Sequence, residues 1–222
     1  LHSKWMEIGK YYTFVSWNDI EGVRLKFGGI TSNDFSKRLE LRGWVAYGLQ
    51  DNRFKVRSGL RYFVDKDKKN RRLLTLAYKS DLEQLSLSAN SLTLDNILTS
   101  MLRRTALKNV TNVEEGLAML EYDWFPGLSS KFTVFNRRLV PLGNFAFDRK
   151  LENGDIQSIR QITTTEIGLQ TRFAWGEKFI SGEFDRSSIG TRYPIVTVDL
   201  GMGVPNVLSS QFSYYKARLR IS

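Results

Sequence analysis

The sequence has no cysteine and a single histidine, His2, among its 222 residues. Without cysteine a chain cannot form a disulfide, a thiolate metal site or a thiol nucleophile. One histidine beside the first residue leaves no material for a Ser-His-Asp triad or a histidine-based metal centre. The glycines Gly201 and Gly203 lack the third glycine and the following helix of a dinucleotide-binding loop. We therefore predict no enzymatic activity, no catalytic residue, no metal and no cofactor.

Long hydrophobic runs are also missing. No segment approaches the ~18 consecutive apolar residues that a membrane-spanning helix requires, and the mean hydropathy is −0.31. These features exclude a helical membrane protein. They leave a membrane β-barrel open, because its strands alternate lipid-facing apolar residues with polar residues that face the lumen. The length suits one soluble domain or about ten spanning strands of roughly 9–11 residues each.

What the sequence does contain is a long alternation of apolar and charged residues. From Arg38 to Leu49 the charged residues occupy even positions and the large aliphatic residues odd positions. After a polar turn at 50–52 the alternation repeats over Arg53–Phe63, which predicts a β-hairpin. Similar stretches are Trp5–Val15, Glu21–Gly29, Arg72–Ser80, Leu117–Phe125, Ser130–Leu139, Arg160–Trp175, Tyr193–Gly203 and Phe212–Ser222. The sequence thus predicts an all-β, antiparallel fold of about ten strands.

One segment departs from this alternation. Between Leu92 and Arg104 the apolar residues recur at helical spacing, and Thr93 and Asp95 are candidate N-caps. We predict a short amphipathic helix within a long loop, residues 81–116, that folds over or into the mouth of a barrel. The alternative is a helix that caps the core of a soluble α+β domain.

Two features favour a membrane barrel over a soluble β-sandwich. Several predicted strands exceed ten residues, whereas strands in globular proteins usually have about five or six. Tyrosine and tryptophan fall near strand ends, as in the girdles that anchor a barrel at the two lipid interfaces. The candidate interface aromatics are Tyr62, Trp124, Trp175 and Tyr193.

The chain is basic, with 33 Lys and Arg against 23 Asp and Glu and a formal net charge of +10. In a barrel the polar faces of the strands line the lumen, and the candidate lumen residues are Arg24, Lys26, Arg38, Glu40, Arg42, Arg53, Lys55, Arg57, Arg61, Glu166 and Arg172. A lining of this kind favours anionic solutes, or it pairs with acidic groups from strands outside this chain. Loop acids such as Glu114 and Glu115 are interpreted as solvated charge.

The basic stripe along Arg53–Arg61 also suits a soluble nucleic-acid-binding sheet. Against that alternative, the basic residues are spread over several strands, and the opposite faces are as apolar as lipid contact requires. No RNA-binding signature is present. We therefore predict lipid, and not nucleic acid, as the partner.

Two groups of motifs resemble a known family. The stretch Tyr12–Asn33, followed by Val45–Asp51, resembles the pattern N-x-x-E-G-x-R-L … G-G-x-T … A-Y-G-x-x-D of a Bacteroidota outer-membrane family without an assigned function. Glu177–Phe179, Arg192–Thr197 and Ser213–Lys216 resemble its E-K-F … R-Y-P-x-x-T … Y-x-K order. The resemblance covers nearly the whole chain. Its most characteristic positions are Glu21, Gly22 and Arg24.

The resemblance implies a location and an architecture. Members of that family carry an N-terminal carboxypeptidase-regulatory-like domain, which we do not expect within these 222 residues, and then a long barrel distantly similar to BamA and TamA surface-antigen barrels. It implies a transmembrane β-barrel in the outer membrane of a Gram-negative bacterium, serving transport, secretion or assembly of envelope components. We expect a partial barrel, completed by strands beyond this chain or by another envelope protein, because an open edge in lipid leaves backbone groups unpaired. Glu21, Gly22 and Arg24 would form a lumen contact, or Gly22 would mark a bulge.

Overall fold

A computed structural model describes residues 4–8, 14–65, 71–84, 110–142, 146–150, 154–182 and 186–222, and all regular structure within them is β-strand. Nowhere in these ranges does a helix reach the length and apolar character that crossing a bilayer requires. The strands are β1 (Met6–Ile8), β2 (Val15–Asn18), β3 (Gly22–Thr31), β4 (Leu39–Gly48), β5 (Arg53–Phe63), β6 (Arg72–Gln84), β7 (Val110–Phe125), β8 (Leu128–Pro141), β9 (Phe147–Lys150), β10 (Ile156–Ile159), β11 (Ile162–Ala174), β12 (Lys178–Ser181), β13 (Arg186–Gly190), β14 (Ile195–Gly203) and β15 (Tyr214–Ile221).

Eleven of these strands form one antiparallel sheet, in the order β1-β3-β4-β5-β6-β7-β8-β11-β14-β15, with β2 also paired to β3. Because β4 occupies one edge of β3, β1 and β2 share the other edge, β1 against Gly29–Thr31 and β2 against Gly22–Leu25. The sheet is therefore a meander of neighbouring strands with β1 and β2 at one side and β15 at the other. It is not closed into a barrel. The remaining strands form two separate hairpins, β9–β10 and β12–β13.

The all-β, antiparallel prediction is confirmed, and the alternation of side chains places the strands well. The strand predicted at Arg53–Phe63 has those bounds in the structure, and the turn at 50–52 joins it to β4. The predicted strand Trp5–Val15 contains β1, and its last residue, Val15, begins β2. Residues 9–13 lie outside the described residues. The paired strands β7 and β8 are the longest, with 16 and 14 residues.

The predicted loop at 81–116 is too long. Strand β6 continues to Gln84 and β7 begins at Val110, so both flanks of that segment are strand and pair with each other. The error has a physical source, since acidic residues such as Glu114 resemble loop charge when the partner strand is not known. The predicted helix at Leu92–Arg104 lies outside the described residues.

The two short hairpins were not predicted. Strands β9, β10 and β12 have four residues each and β13 has five. Alternation over so few residues gives little periodic signal. Gly154 lies in the turn between β9 and β10, and Gly176 lies in the turn between β11 and β12. Both adopt the left-handed conformation, with φ of 91° and 64°.

The sheet has two chemically different faces, and cross-strand pairing builds each of them. On the first face, directly paired residues form a continuous apolar row across eight strands: Leu41, Leu60, Leu76, Ala118, Val134, Ile167, Met202 and Tyr215. A second row beside it is Leu39, Tyr62, Leu74, Leu120, Phe132, Leu169, Leu200 and Ala217. We call this side the apolar face. The intervening residues point to the opposite side, the charged face.

Candidate functional site

The two faces reverse the usual distribution of polarity. On the apolar face large hydrophobic side chains are exposed, for example Leu76 at 44%, Leu120 at 46% and Phe132 at 47%. On the charged face ionisable side chains are buried, and Glu40, Lys55 and Glu115 are only 1–2% exposed. A soluble sheet does the opposite, since water solvates charge and drives apolar surface into a core. The charged face is therefore the candidate functional site.

The first ion-pair group on the charged face joins β3, β5 and β6. Lys55 Nζ lies 2.7 Å from Glu21 Oε1 and 2.5 Å from Asp51 Oδ2. Arg24 Nη1 lies 3.2 Å from Glu21 Oε2 and 3.1 Å from Asp81 Oδ1. Glu21 thus neutralises a lysine and an arginine from different strands, which ties the sheet together where three strands meet.

The second group lies on the next strands and joins β6, β7 and β8. Arg137 places Nη2 at 2.5 Å and Nε at 2.6 Å from Glu115 Oε1. Lys79 Nζ is paired with Glu83 and lies 3.7 Å from the second oxygen of Glu115. These cations and carboxylates alternate across directly paired strands, so each buried charge faces one of opposite sign. Such pairing is what makes a buried charge tolerable.

A third group surrounds Glu40 on β4. Its carboxylate accepts hydrogen bonds from Arg42 and, at 3.1 Å, from Arg61 Nη1 on β5. Nearby, Lys26 Nζ lies 4.5 Å and Arg24 Cζ 5.2 Å from the ring centroid of Trp44, which also belongs to the charged face. Cations over an indole ring are stabilised by its negative face. The basic residues here are held by carboxylates and by an aromatic ring.

The last strands carry smaller groups. Glu166 on β11 pairs with Lys216 on β15 and accepts a hydrogen bond of 2.7 Å from the Tyr214 hydroxyl. Asp199 on β14 accepts one of 3.0 Å from Arg220 Nη2. Compared with Lys55 at 2% side-chain exposure, Lys216 is 60% exposed. The charged face is therefore covered at its centre and open along β15.

One ion pair lies beyond the end of a strand. Arg172 near the end of β11 donates both terminal nitrogens to Glu177, at 2.5 and 2.7 Å, and Ser188 Oγ lies 2.5 Å from the same carboxylate. The hydrogen bonds from Arg172 lower the pKa of the Glu177 carboxyl below its ordinary value. Arg186 of β13 donates a 2.7 Å hydrogen bond to Asp123. These contacts attach the β12–β13 hairpin to this end of the sheet.

The lumen candidates that belong to strands occur together on the charged face: Arg24, Lys26, Glu40, Arg42, Arg53, Lys55, Arg57, Arg61, Glu166 and Arg172. Arg53 is exposed at the start of β5, and Arg38 precedes β4. The acidic partners of these basic residues come from within the chain, so the ion pairs form without strands from outside it. Sequence reasoning missed Lys79, Glu115 and Arg137, although the parity of Lys79 and Arg137 in their predicted strands was a usable signal. Glu115 was interpreted as solvated loop charge, and that interpretation is wrong because β7 includes it.

The characteristic motif residues occupy a tight junction. Gly22 has φ of 64°, and a Cβ at this position would lie 3.0 Å from Gln50 Cβ in the turn between β4 and β5. The backbone of Glu21 and the side chain of Asn18 are joined by a 2.8 Å hydrogen bond. Glycine at position 22 lets the chain turn into β3 while the Glu21 carboxylate points to the charged face. The positive φ fits a local turn, and the β2–β3 and β3–β4 registers contain no bulge at Gly22.

The predicted interface aromatics lie at one end of the sheet. Tyr62 and Trp124 are near the ends of β5 and β7, Trp175 follows β11, and Tyr193 precedes β14. Because adjacent strands are antiparallel, these positions share an edge of the sheet. All four side chains are 38–60% exposed. At the opposite end, Tyr47 and Phe54 pack with ring centroids 4.8 Å apart, so both ends of the apolar face carry aromatic rings.

A family model matches residues 2–222, which is almost the entire sequence. The chain belongs to the DUF5686 C-terminal domain family. That family is described as one of unknown function, so membership alone does not identify an activity. No curated protein and no solved structure matches the chain.

The charged groups of this DUF5686 domain are mostly held in ion pairs. Among the described residues no group of three or more His, Cys, Asp or Glu side chains is placed to hold a metal ion. The buried lysines and arginines have carboxylate partners, so they are not free to bind a polyanion. What the arrangement provides is a surface of paired charges on one side of the sheet and an apolar surface on the other.

Proposed function

We propose that this domain forms part of the wall of a β-barrel in the outer membrane of a Gram-negative bacterium and serves transport, secretion or assembly of envelope components. The observation that carries the proposal is the reversed polarity of the sheet. Lipid accepts the apolar rows that water would penalise, and a wet lumen accepts charged pairs. The motif resemblance to Bacteroidota outer-membrane proteins, with their leading β-domain and distant similarity to BamA and TamA barrels, supports the same location.

Strand length and aromatic placement add support. Strand β6 has 13 residues and β7 has 16, enough to cross a hydrocarbon layer when tilted. Tyr62, Trp124 and Trp175 would lie at one lipid interface, with Tyr47 and Phe54 at the other. The ion pairs of the charged face would hold strand register inside the lumen. Lipid is the first partner under this proposal, and envelope proteins are the second.

Cysteine labelling tests the proposal directly, because these 222 residues contain no cysteine. Met119 on the charged face and Leu120 on the apolar face are adjacent in β7. In cells, Met119→Cys would face the lumen and should react with a membrane-impermeant maleimide. Leu120→Cys would face lipid and should stay unmodified until detergent is added. Labelling of Leu120→Cys without detergent, at a rate equal to that of Met119→Cys, would contradict a lipid-facing apolar surface.

A second test uses the cost of charge in lipid. Leu76→Lys puts a cation in the middle of an apolar row, and we expect a loss of about 2–4 kcal/mol in the free energy of folding into a bilayer. Leu49→Lys makes the same change in the turn after β4 and should have little effect. Fractionation should recover the wild-type domain with outer membranes, and purification at high concentration without detergent would refute the proposal.

The alternative is a soluble, basic β-rich protein that binds nucleic acid or another polyanion, and the pI near 9.8 favours it. In that case Leu76→Lys would be harmless or would improve solubility. Binding of single-stranded nucleic acid would fall steeply with salt, as counterion release requires. The burial of Lys55 and Arg61 in ion pairs argues against this alternative, because those cations belong to the stripe that the polyanion would contact.

A further inference from the structure

We infer that the connection between β14 and β15, residues 204–211, lies on the outside of the barrel wall and inserts Val207 and Leu208 into lipid at one surface of the bilayer. We call this segment the strap. The inference rests on the proposed membrane location. It goes further, because it names a lipid-contacting anchor outside the strands and the level of the sheet at which the hydrocarbon layer ends.

Hydrogen bonds place the strap on the apolar face of the sheet. Thr165 Oγ1 donates to the carbonyl oxygen of Val207 at 2.8 Å, and Asn136 Nδ2 donates to that of Leu208 at 3.3 Å. Asn136 and Thr165 are paired across β8 and β11. They lie two positions along their strands from residues of the apolar row, such as Val134, so their side chains point to the same face. The strap therefore covers part of the surface that faces lipid in the proposed barrel.

The strap packs closely against the strands beneath it. Ser210 Oγ accepts a 3.0 Å hydrogen bond from the backbone N–H of Thr165. The N–H of Gln211 donates to the carbonyl oxygen of Thr163, also at 3.0 Å. Thr163 and Thr165 are only 3% and 1% exposed, whereas Leu169, further along β11 on the same face, is 43% exposed. The strap is thus held against the wall, with several of its polar groups turned toward the sheet.

The opposite side of the strap is apolar and open. Val207 and Leu208 are 45% and 65% exposed. Leu208 also borders a groove in the apolar face that is lined by Leu60 and Leu76, so its side chain continues the apolar surface of the strands. Its backbone has φ of 48°, and that of Ser209 has 63°, a region that residues with a side chain seldom adopt. The chain accepts an unfavourable conformation where it presents a large apolar side chain to the outside, which is typical of functional segments.

The residue types on either side of the strap follow the order of layers at a bilayer surface. Toward the middle of the sheet, the apolar face of β8 and β11 carries Val134 and Ile167. Beyond the strap, the same face carries the ion pair of Glu114 and Arg138. Irregular backbone and ions are excluded from hydrocarbon but are tolerated among headgroups and water. Lipid explains this order of apolar residues, strap and ions, whereas a protein partner would not require it.

Fluorescence quenching tests the inference on the full-length protein reconstituted in phosphatidylcholine vesicles. The fluorophore NBD is attached to the cysteine of Leu208→Cys. A nitroxide near the upper end of the lipid acyl chains should quench it strongly and aqueous iodide weakly, because apolar groups at a membrane surface reach the boundary between headgroups and chains. Leu49→Cys is the matched control, since Leu49 is also exposed, at 53%, but lies in the turn after β4. There iodide should quench more strongly than the nitroxide.

A second position guards against a local defect in one variant. Val207→Cys should show the same order of quenching as Leu208→Cys. Iodide quenching at both strap positions equal to that at position 49 would overturn the inference, as would stronger quenching by a nitroxide at the chain end than by one near the headgroup. Protection from both quenchers would also overturn it, since a protein would then cover the strap.

The failure of this inference is distinguishable from that of the proposed function. If Leu120→Cys is labelled only after detergent is added while the strap positions are quenched by iodide, the inference fails and the proposed function stands. If the protein is not in the outer membrane at all, the proposed function fails first.

Discussion

Glu115 offers the sharpest test of the ion network inside the sheet. Its side chain is 2% exposed and is held by Arg137 at 2.5 Å, with Lys79 at 3.7 Å. Glu115→Gln removes the negative charge while keeping the shape, and Glu83 still contacts both cations. Breaking a buried ion pair by removing one partner usually costs 3–5 kcal/mol. Because Glu83 remains near both cations, we expect the lower end, about 3 kcal/mol.

The adjacent residue supplies a matched control. Glu114 pairs with Arg138 at 3.4 Å, but these side chains are 34% and 46% exposed. They belong to the opposite face, level with Val56 and next to the Tyr47–Phe54 pair that we place at the lipid–water interface, where water reaches them. Glu114→Gln makes the same chemical change, and an exposed pair contributes only about 0–1 kcal/mol. Comparing the loss of stability in the two variants separates the effect of burying the ion pair from the effect of removing a carboxylate.

The assay is urea unfolding of the domain refolded into lipid or detergent, followed by far-UV circular dichroism and tryptophan fluorescence. A double-mutant cycle of Glu115→Gln with Arg137→Gln should give a coupling free energy of at least about 1 kcal/mol, since the two groups are in direct contact. Equal losses of stability for Glu114→Gln and Glu115→Gln would refute the reasoning, as would additive effects of the Glu115 and Arg137 changes.

Three further predictions follow from other parts of the sheet. Gly203→Ala should destabilise the domain by about 1–3 kcal/mol, because its Cβ would lie 2.5 Å from the Tyr214 ring, whereas Gly116→Ala, with open space at that position, should be near neutral in the same unfolding assay. The lowered pKa of Glu177 means that its contribution to stability is complete above the ordinary value of 4.5 and is lost as the pH falls through the lowered value. The difference in urea midpoint between wild type and Glu177→Gln should therefore shrink steadily as the pH is lowered below 4.5, and a difference that stays constant over that range would contradict it. Single-tryptophan variants that retain Trp124 or Trp175 should be quenched more by lipids brominated near the headgroup than by lipids brominated at the chain end, and equal quenching would count against an interfacial position.

Side-chain parity allowed much of the charged face to be predicted. Once a strand is recognised, each residue is assigned to one of two faces, so Arg24, Glu40 and Lys55 could be grouped before their neighbours were known. The Glu40–Arg61 contact follows almost directly from the β4–β5 hairpin, in which the two residues are paired. The pair is 21 residues apart, and a tight turn fixes which residues face each other.

Longer-range partners were not predictable in this way. Arg24 and Asp81 are 57 residues apart and lie on strands separated by two others in the sheet. Their contact depends on how far each strand shifts against the next, and a shift of one residue would send a side chain to the other face. Glu115 shows what goes wrong when the register is unknown. Its charge suggested an exposed loop, whereas the paired strands β6 and β8 bury it between Lys79 and Arg137.

The sequence by itself determined the fold class, the alternation and hence the existence of one apolar and one charged face, because these follow from local geometry with a period of two residues. Only the tertiary structure decided which carboxylate neutralises which cation, that the central charges are covered while those of β15 stay open, and that the two outer edges of the sheet have no strand beside them among the described residues. Those properties depend on pairing between strands far apart in the chain, and no local pattern encodes the register that sets them.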